Sequence, residues 1–164
     1  MERFQIVSDS SCDLGRERAK ELGVTLVSFY VSFDGENYYR EEQDITNREF
    51  YQQMADRPGV FPRTSMPTVE DYLTVLRPMV ERGEPVLCVC LNAPFSGSFQ
   101  AARNARSLLM EEFPRAEVCV LDSQLATVLQ GVLVLEAVHL RDAGVSLAAA
   151  AAQLESNRKT GRIF

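Results

Sequence analysis

The sequence predicts an α/β domain: a mostly parallel sheet with helices on both faces and an antiparallel hairpin at one edge. Three observations carry this. Short β-rich runs alternate with helix-length runs whose apolar residues recur at helical spacing, the rhythm of strand–helix–strand crossovers. Residues 86–91 are apolar without a break, as a strand covered on both faces requires. Asp34-Gly35 separates two β-rich runs, a strong short-range hairpin signal.

In chain order, residues 4–8 read as a first strand. The polar turn Asp9-Ser10-Ser11-Cys12-Asp13 follows, then a helix over 16–22. Residues 24–33 form a long β-rich run, with 37–40 returning beside it as an edge strand. Thr46-Asn47-Arg48-Glu49 has the pattern of a capping box and opens a helix to Ala55. Thr68 caps the next helix, where Val69, Tyr72, Leu73, Leu76 and Val80 share one apolar face. After the 86–91 strand, a helix over 97–112 buries Phe99, Ala102, Leu109 and Phe113. Residues 118–121 form the next strand. Residues 125–140 are apolar nearly all round, which predicts a central buried helix with His139 as a packing residue. Ala143-Gly144 ends it, and Ser146 starts an Ala-rich helix to Ser156.

Composition narrows the function classes. The 164 residues, 46% of them hydrophobic, suit one domain with a real core. The net charge is −6 with acids and bases interspersed, so neither a nucleic-acid stripe nor a cationic membrane face is expected. Met1-Glu2-Arg3-Phe4 runs directly into the first strand, without the pattern of a signal peptide, and no apolar run has spanning length. The expectation is a cytoplasmic protein. Its four cysteines show no CxxC pattern and no accompanying histidine cluster. Cys88, Cys90 and Cys119 read as small buried hydrophobes, Cys12 as a loop residue, and no metal site is expected.

Ligands of open α/β sheets bind beyond the carboxyl ends of the strands. That edge should carry residues 9–13, 92–98 and 122–124. Within reach of it are two hydroxyl-rich loops, Thr64-Ser65 and Ser96-Gly97-Ser98, each expected just before a helix. Free N–H groups and the positive end of the helix dipole would make each a polar cup for a carboxylate or phosphate. The alternative is that such residues only cap helices, worth about 1 kcal/mol each; Asp9, Asp13, Asp122 and Ser123 are read that way. Gly97 between two hydroxyls suggests close backbone approach to a ligand.

Four stretches resemble, in order, the signatures of the DegV family. They are Ile6-Val7-Ser8-Asp9-Ser10-Ser11-Cys12-Asp13-Leu14, Arg63-Thr64-Ser65-Met66-Pro67, Phe95-Ser96-Gly97-Ser98-Phe99-Gln100-Ala101-Ala102 and Val120-Leu121-Asp122-Ser123. Asp44-Ile45 and Glu49-Phe50-Tyr51 fall at the family's spacing as well. Each motif is loose alone; their order and spacing together are specific. The resemblance implies the DegV N-terminal fold and a fatty-acid-binding protein, with the acid as ligand and neither a cofactor nor catalysis of its own. A long-chain fatty acid lies in a buried tunnel, its carboxylate held by Thr64 and Ser65 on one loop and by Ser96, Gly97 and Ser98 on the other. Asp9, Ser10 and Asn92 stand at the rim. In bacteria that have the partner, a fatty-acid kinase phosphorylates the bound acid, and the acyl-phosphate enters phospholipid synthesis.

Two departures stand out. Asn92-Ala93-Pro94 replace the family's serine pair and glycine before the second loop, and Pro94 removes a backbone donor. Family members also continue into a second α/β domain that brings an arginine and a histidine to the head group. Here residues 1–156 read as the N-terminal domain and 157–164 as the start of a connection to the second.

Three other readings compete. A serine hydrolase would use Ser96, but the lone histidine, His139, is badly placed and no GxSxG elbow exists. A phosphate-ligand domain lacks GxxxxGK[ST] and GxGxxG. A non-catalytic interaction domain would use the hydroxyl loops as caps only.

Overall fold

The computed structural model describes residues 3–161. Strands β1 (Gln5–Asp9), β2 (Val24–Val27), β6 (Val86–Cys90) and β7 (Val118–Asp122) form one parallel sheet in the order β2-β1-β6-β7. Strands β3 (Tyr30–Ser32), β4 (Tyr39–Arg40) and β5 (Arg63–Ser65) form a small antiparallel sheet with β3 in the middle. The helices are α1 (Arg16–Glu21), α2 (Asn47–Asp56), α3 (Val69–Glu81), α4 (Ser98–Glu112), α5 (Thr127–Asp142) and α6 (Leu147–Asn157). The expected fold class is observed.

Strand alternation sends side chains to two cores. Ile6, Val24, Leu87, Val89 and Leu121 pack under α1, α5 and α6, through Ala19, Leu133, Val134, Ala137, Val138, Ala150 and Leu154. Val7, Val27, Val86, Cys88, Cys90 and Val118 pack under α3 and α4, through Tyr72, Leu76, Ala102, Ala105 and Leu109. Sheet residues are thus covered from both sides, which is why residues 86–91 carry no polar alternation.

The expected single run over 24–33 is divided between the two sheets. The chain leaves β2 and its pairing with β1 at Ser28-Phe29, where it is hydrogen-bonded elsewhere. The Ser28 hydroxyl donates to the Glu41 carbonyl (2.7 Å), the Phe29 N–H to Ser10 Oγ (2.9 Å), and the Glu41 N–H to the Phe29 carbonyl (2.8 Å). The hairpin after Asp34-Gly35 is present as β3–β4, with Val31 opposite Tyr39. Helix α2 has its capping box at Thr46 and Glu49 but buries no residue. Phe50 instead leans on Phe33, ring centroids 5.4 Å apart.

Helix α5 differs from expectation. It is not apolar contact on every side: Val128, Leu129 and Val132 face solvent, while Gln130, Leu133, Val134 and Ala137 are inside. His139 is exposed rather than packed, because it lies on the outer face of the helix's last turn. Cys12 is no surface loop residue but is buried in a 3₁₀ turn, Ser10–Cys12. At the other end of the sheet, buried Arg141 donates to the Leu22 and Gly23 carbonyls (2.7 and 3.0 Å), satisfying the end of α1. Beyond α6 comes a short 3₁₀ turn, Arg158–Thr160. Residues 162–164, where the approach to a further strand was expected, lie outside the described residues.

A side-chain hydrogen bond ties the small sheet to α3, the Tyr30 hydroxyl donating to Asp71 Oδ1 (2.8 Å). Asp71 also completes the Thr68 capping box, accepting from the Thr68 N–H and hydroxyl (2.7 Å each). Burial alone would raise this carboxyl, but the donors of Thr68 and Tyr30 prevail and hold it below the usual range. On acidification the unfolded chain therefore takes up the proton first. The stabilisation is complete above the ordinary carboxyl pKa and drains away as pH falls through the lower folded value. Asp71→Ala is expected to cost about 1–2 kcal/mol near neutral pH, with the difference from wild type shrinking below about pH 4. Urea unfolding at the two pH values checks this, and a difference independent of pH contradicts it.

Candidate functional site

The candidate site starts from a buried carboxylate at the end of β1. Asp9 has no solvent exposure. Its Oδ2 accepts from the Leu91 N–H (2.9 Å) and the Ser98 hydroxyl (2.8 Å); its Oδ1 accepts from the Ser11 hydroxyl (2.6 Å) and Gln130 Nε2 (2.8 Å). A carboxylate only accepts, so every donor around it is fixed in direction. Asp9 therefore ties β1 to the start of the 91–98 loop, the first turn of α4, α5 and the 3₁₀ turn. It sits beneath the rim, not on it.

That direction propagates. Ser98 Oγ gives its proton to Asp9, so the Tyr72 hydroxyl 2.7 Å away must donate to Ser98. Tyr72 in turn is 3.7 Å from Cys90 Sγ, and Cys90 is 3.7 Å from Cys88 Sγ. Burial pushes the Tyr72 phenol well up. The contact with Cys88, then burial, does the same to the Cys90 thiol. Burial also carries the Cys12 thiol up to about 11. These groups stay protonated near neutral pH, which suits packing and not nucleophilic attack.

The other rim residues are also held. Ser10 Oγ donates to Glu41 Oε2 (2.6 Å) while accepting from Phe29. Burial raises the Glu41 carboxyl, only partly offset by the Ser10 hydroxyl. Asn92 is half-buried, its N–H donating to the Leu125 carbonyl (3.0 Å) and its carbonyl accepting from the Phe95 N–H (2.9 Å). The Ala93 N–H donates to Asp122 Oδ1 (3.2 Å). The Asn92-Ala93-Pro94 segment is thus stitched to the loop after β7.

Of the two hydroxyl loops, Ser96-Gly97-Ser98 lies at the α4 N-terminus as expected. Gly97 is its N-cap, and Ser96 Oγ accepts from the Ser98 N–H (3.2 Å). The N–H groups of Phe99 and Gln100 lie in the first helical turn, where the helix supplies no acceptor. Thr64-Ser65 does not precede a helix directly. It is part of β5, with Thr64 opposite Val31 and Ser65 opposite Tyr30, and α3 begins only at Val69. Pro67 holds Met66 extended and so prolongs the strand geometry. Thr64 and Ser65 are exposed.

The loops nevertheless meet, through Met66. A Cβ added to Gly97 would lie 2.6 Å from Met66 Sδ and 3.0 Å from its Cε. Gly97 has φ −73° and ψ 2°, angles that any residue adopts. The free end of the Met66 side chain lies where a side chain at residue 97 would begin. Phe95 and Met66 are exposed beside this junction. The first turns of α5, carrying exposed Val128, Leu129 and Val132, start from the same end of the sheet. A cavity of ≈ 620 Å³ lies elsewhere, along the free edge of β2 between Arg16, Lys20, Thr25 and Arg40.

Sequence reading missed two members of this arrangement. Nothing local in the sequence shows that Asp9 is a buried acceptor of four donors or that Met66 lies against Gly97. His139 lies near the opposite end of α5 from the rim, roughly 18 Å along the axis at 1.5 Å per residue. It cannot serve Ser96 as a base. Among the described residues no group of His, Cys, Asp or Glu could hold a metal ion. No described helix is long and apolar enough to cross a membrane.

The model of the DegV family ("Uncharacterised protein, DegV family") matches residues 3–164. The chain belongs to the DegV family. A DegV domain-containing protein of Clostridium acetobutylicum is 30% identical over 160 residues, 98% of this chain and 55% of that protein. A fatty acid (stearic acid)-binding protein of Eubacterium ventriosum shares the fold with a TM-score of 0.88 and 47% identity, over 93% of this chain and 52% of its own. A fatty-acid-binding DegV family protein of Thermus thermophilus follows with a TM-score of 0.80 and 37% identity, over 96% and 54%. The chain spans about half the length of the relatives it matches.

Asp9→Asn places an NH₂ group against donors. Leaving them unpaired in the interior is expected to cost about 3 kcal/mol or more. Tyr72→Phe removes one hydroxyl of the same network and should cost about 1–2 kcal/mol. Chemical denaturation at constant pH compares the two, and equal costs would contradict Asp9's place at the centre.

Proposed function

We propose that this chain is the hydroxyl-loop half of a cytoplasmic fatty-acid carrier, with residues 1–156 as its N-terminal domain and 157–164 leading toward a second. The observation that carries the reading is the junction at Met66 and Gly97. The contact brings the end of β5 to the start of α4, which supports reading exposed Thr64 and Ser65 together with Ser96 as one head-group site at the sheet edge where ligands bind. Relatives named for stearic, vaccenic and heptadecanoic acid support the ligand class.

In this reading Thr64, Ser65 and Ser96 donate hydroxyl hydrogen bonds to the carboxylate. Gly97 and Ser98 contribute backbone, since the Ser98 hydroxyl is committed to Asp9. Asn92 offers its side-chain amide at the rim, while Asp9 and Ser10 act from below by holding the loops. The acyl chain lies on apolar surface, which supplies most of the gross affinity at roughly 0.8 kcal/mol per methylene. A hydrogen bond to a charged group contributes about 1.5–3 kcal/mol. The hydroxyls therefore chiefly fix the position of the head group. A positioned, desolvated carboxylate is what a phosphoryl-transferring partner needs, and the role extends to presenting the acid to a fatty-acid kinase. In this reading the transfer itself belongs to the kinase.

The test is native mass spectrometry of the full-length protein, wild type and Thr64→Ala/Ser96→Ala, after incubation with oleate. The wild type should carry one fatty acid, and the double variant should hold it at least about tenfold more weakly while keeping the wild-type fold by circular dichroism. Equal retention in both overturns the assignment of the hydroxyls. A wild type that stays empty overturns the carrier reading.

A further inference from the structure

We propose that the outer edge of β2 is a docking site for an extended peptide, which adds to the parallel sheet as a fifth strand and carries acidic side chains at alternate positions. The site lies along the side of the sheet, away from the hydroxyl loops, and stands independently of the carrier reading. β2 is the terminal strand of its sheet and pairs with β1; among the described residues nothing bonds to the backbone of its outer edge. An edge strand offers a row of free N–H and C=O groups to a further strand. This edge is not flat. The cavity of ≈ 620 Å³ runs along Val24, Thr25 and Leu26, with Arg16 and Lys20 of α1 on its flank. The 40–44 turn closes it beyond the end of β2. That turn is held by the Arg40–Asp44 ion pair, two bonds of 3.0 Å, and by the Ser28 hydroxyl on the Glu41 carbonyl. A second cavity of ≈ 350 Å³ shares Lys20 and Gly23 with the first and continues the groove past the start of β2. A bounded groove favours a single extended chain over the broad edge of a second sheet.

The charge pattern selects the occupant. Val24 and Leu26 pack with Ala19 of α1, so α1 covers one face of β2. A strand added beside β2 sends every second side chain to that face. There it meets Arg16 and Lys20, one helical turn apart and about 6 Å along α1 at 1.5 Å per residue. Side chains two residues apart on a strand are separated by about 6.7 Å. Two carboxylates at positions i and i+2 therefore fall opposite the two cations. Neither cation forms an ion pair with a described residue. The Arg16 guanidinium reaches the Glu42 carbonyl, at 3.3 Å. In a chain of net charge −6 this flank is locally positive, which favours an acidic partner and opposes a basic one. A lysine beside an edge strand can also serve only to keep other strands away, and the two roles predict different outcomes.

The test uses the full-length protein and three capped pentapeptides. They are Val-Glu-Val-Glu-Val, Val-Lys-Val-Lys-Val, and Val-Val-Glu-Glu-Val, which has the composition of the first with the wrong spacing. Backbone chemical shifts and amide hydrogen exchange are followed during each titration. The alternating acidic peptide should bind and slow the exchange of β2 amides, leaving those of β7 at the opposite edge unchanged. The other two should bind more weakly. Arg16→Ala/Lys20→Ala should lose about tenfold or more in affinity for the acidic peptide. Three peptides that bind alike overturn the proposal, and so does a protein that binds none, which leaves Lys20 as a guard of the edge. Binding of the acidic peptide that inorganic phosphate displaces, with no slowing of β2 exchange, overturns the added strand in favour of a simple anion site.

Discussion

The carboxylate of Asp9 is the constraint on which the sheet edge depends. A charge without solvent contact is tolerated only where donors surround it, and Asp9 collects four of them from four separate segments. Each donor belongs to an element that would otherwise end at the rim with nothing to register it: the Leu91 amide, the α4 start at Ser98, the inward Gln130 of α5, and Ser11 in the 3₁₀ turn. Because all four point at one acceptor, their relative positions are fixed together. Loops that carry function on a rigid scaffold need such a clamp, since loop backbone by itself is adaptable.

The division of labour follows from chemistry. The two cores are almost purely aliphatic, with cysteines standing in as small hydrophobes whose thiols remain protonated. One connected group of buried polar side chains, Ser8, Asp9, Ser98, Gln130 and Tyr72, gathers at the carboxyl end of β1. There each is satisfied by a neighbour in a defined direction, as a buried network must be to add specificity rather than cost.

Much of the fold was legible in the sequence, because its signals are local. The Thr46 and Thr68 capping boxes, the unbroken apolar run at 86–91 and the Asp34-Gly35 turn all appear where the residues place them. What was hidden depends on tertiary pairing. The break at Ser28-Phe29 arises from bonds to Ser10 and Glu41, which no pattern in residues 24–33 displays. The solvent-facing side of α5 was hidden because its valines and leucine resemble core residues. For the candidate site, the hydroxyl residues were legible as a list, and their arrangement was not. Thr64-Ser65 is a strand because of its partner Val31-Tyr30, distant in sequence, and the approach of Met66 to Gly97 is likewise between distant residues.

The small antiparallel sheet has a consequence for how the molecule breathes. With α2 it forms a leaf that buries few side chains, Val31 and Ile45 among them, and rests on short strands. Such a unit has a lower opening free energy than the parallel sheet beneath it, and its amides exchange with solvent long before those of β1 or β6. Thr64 and Ser65 belong to this looser unit, while Ser96 stands on the tighter one. The two walls of the candidate site thus stand on units of unequal burial, one on the small leaf and the other on the parallel sheet and its helices.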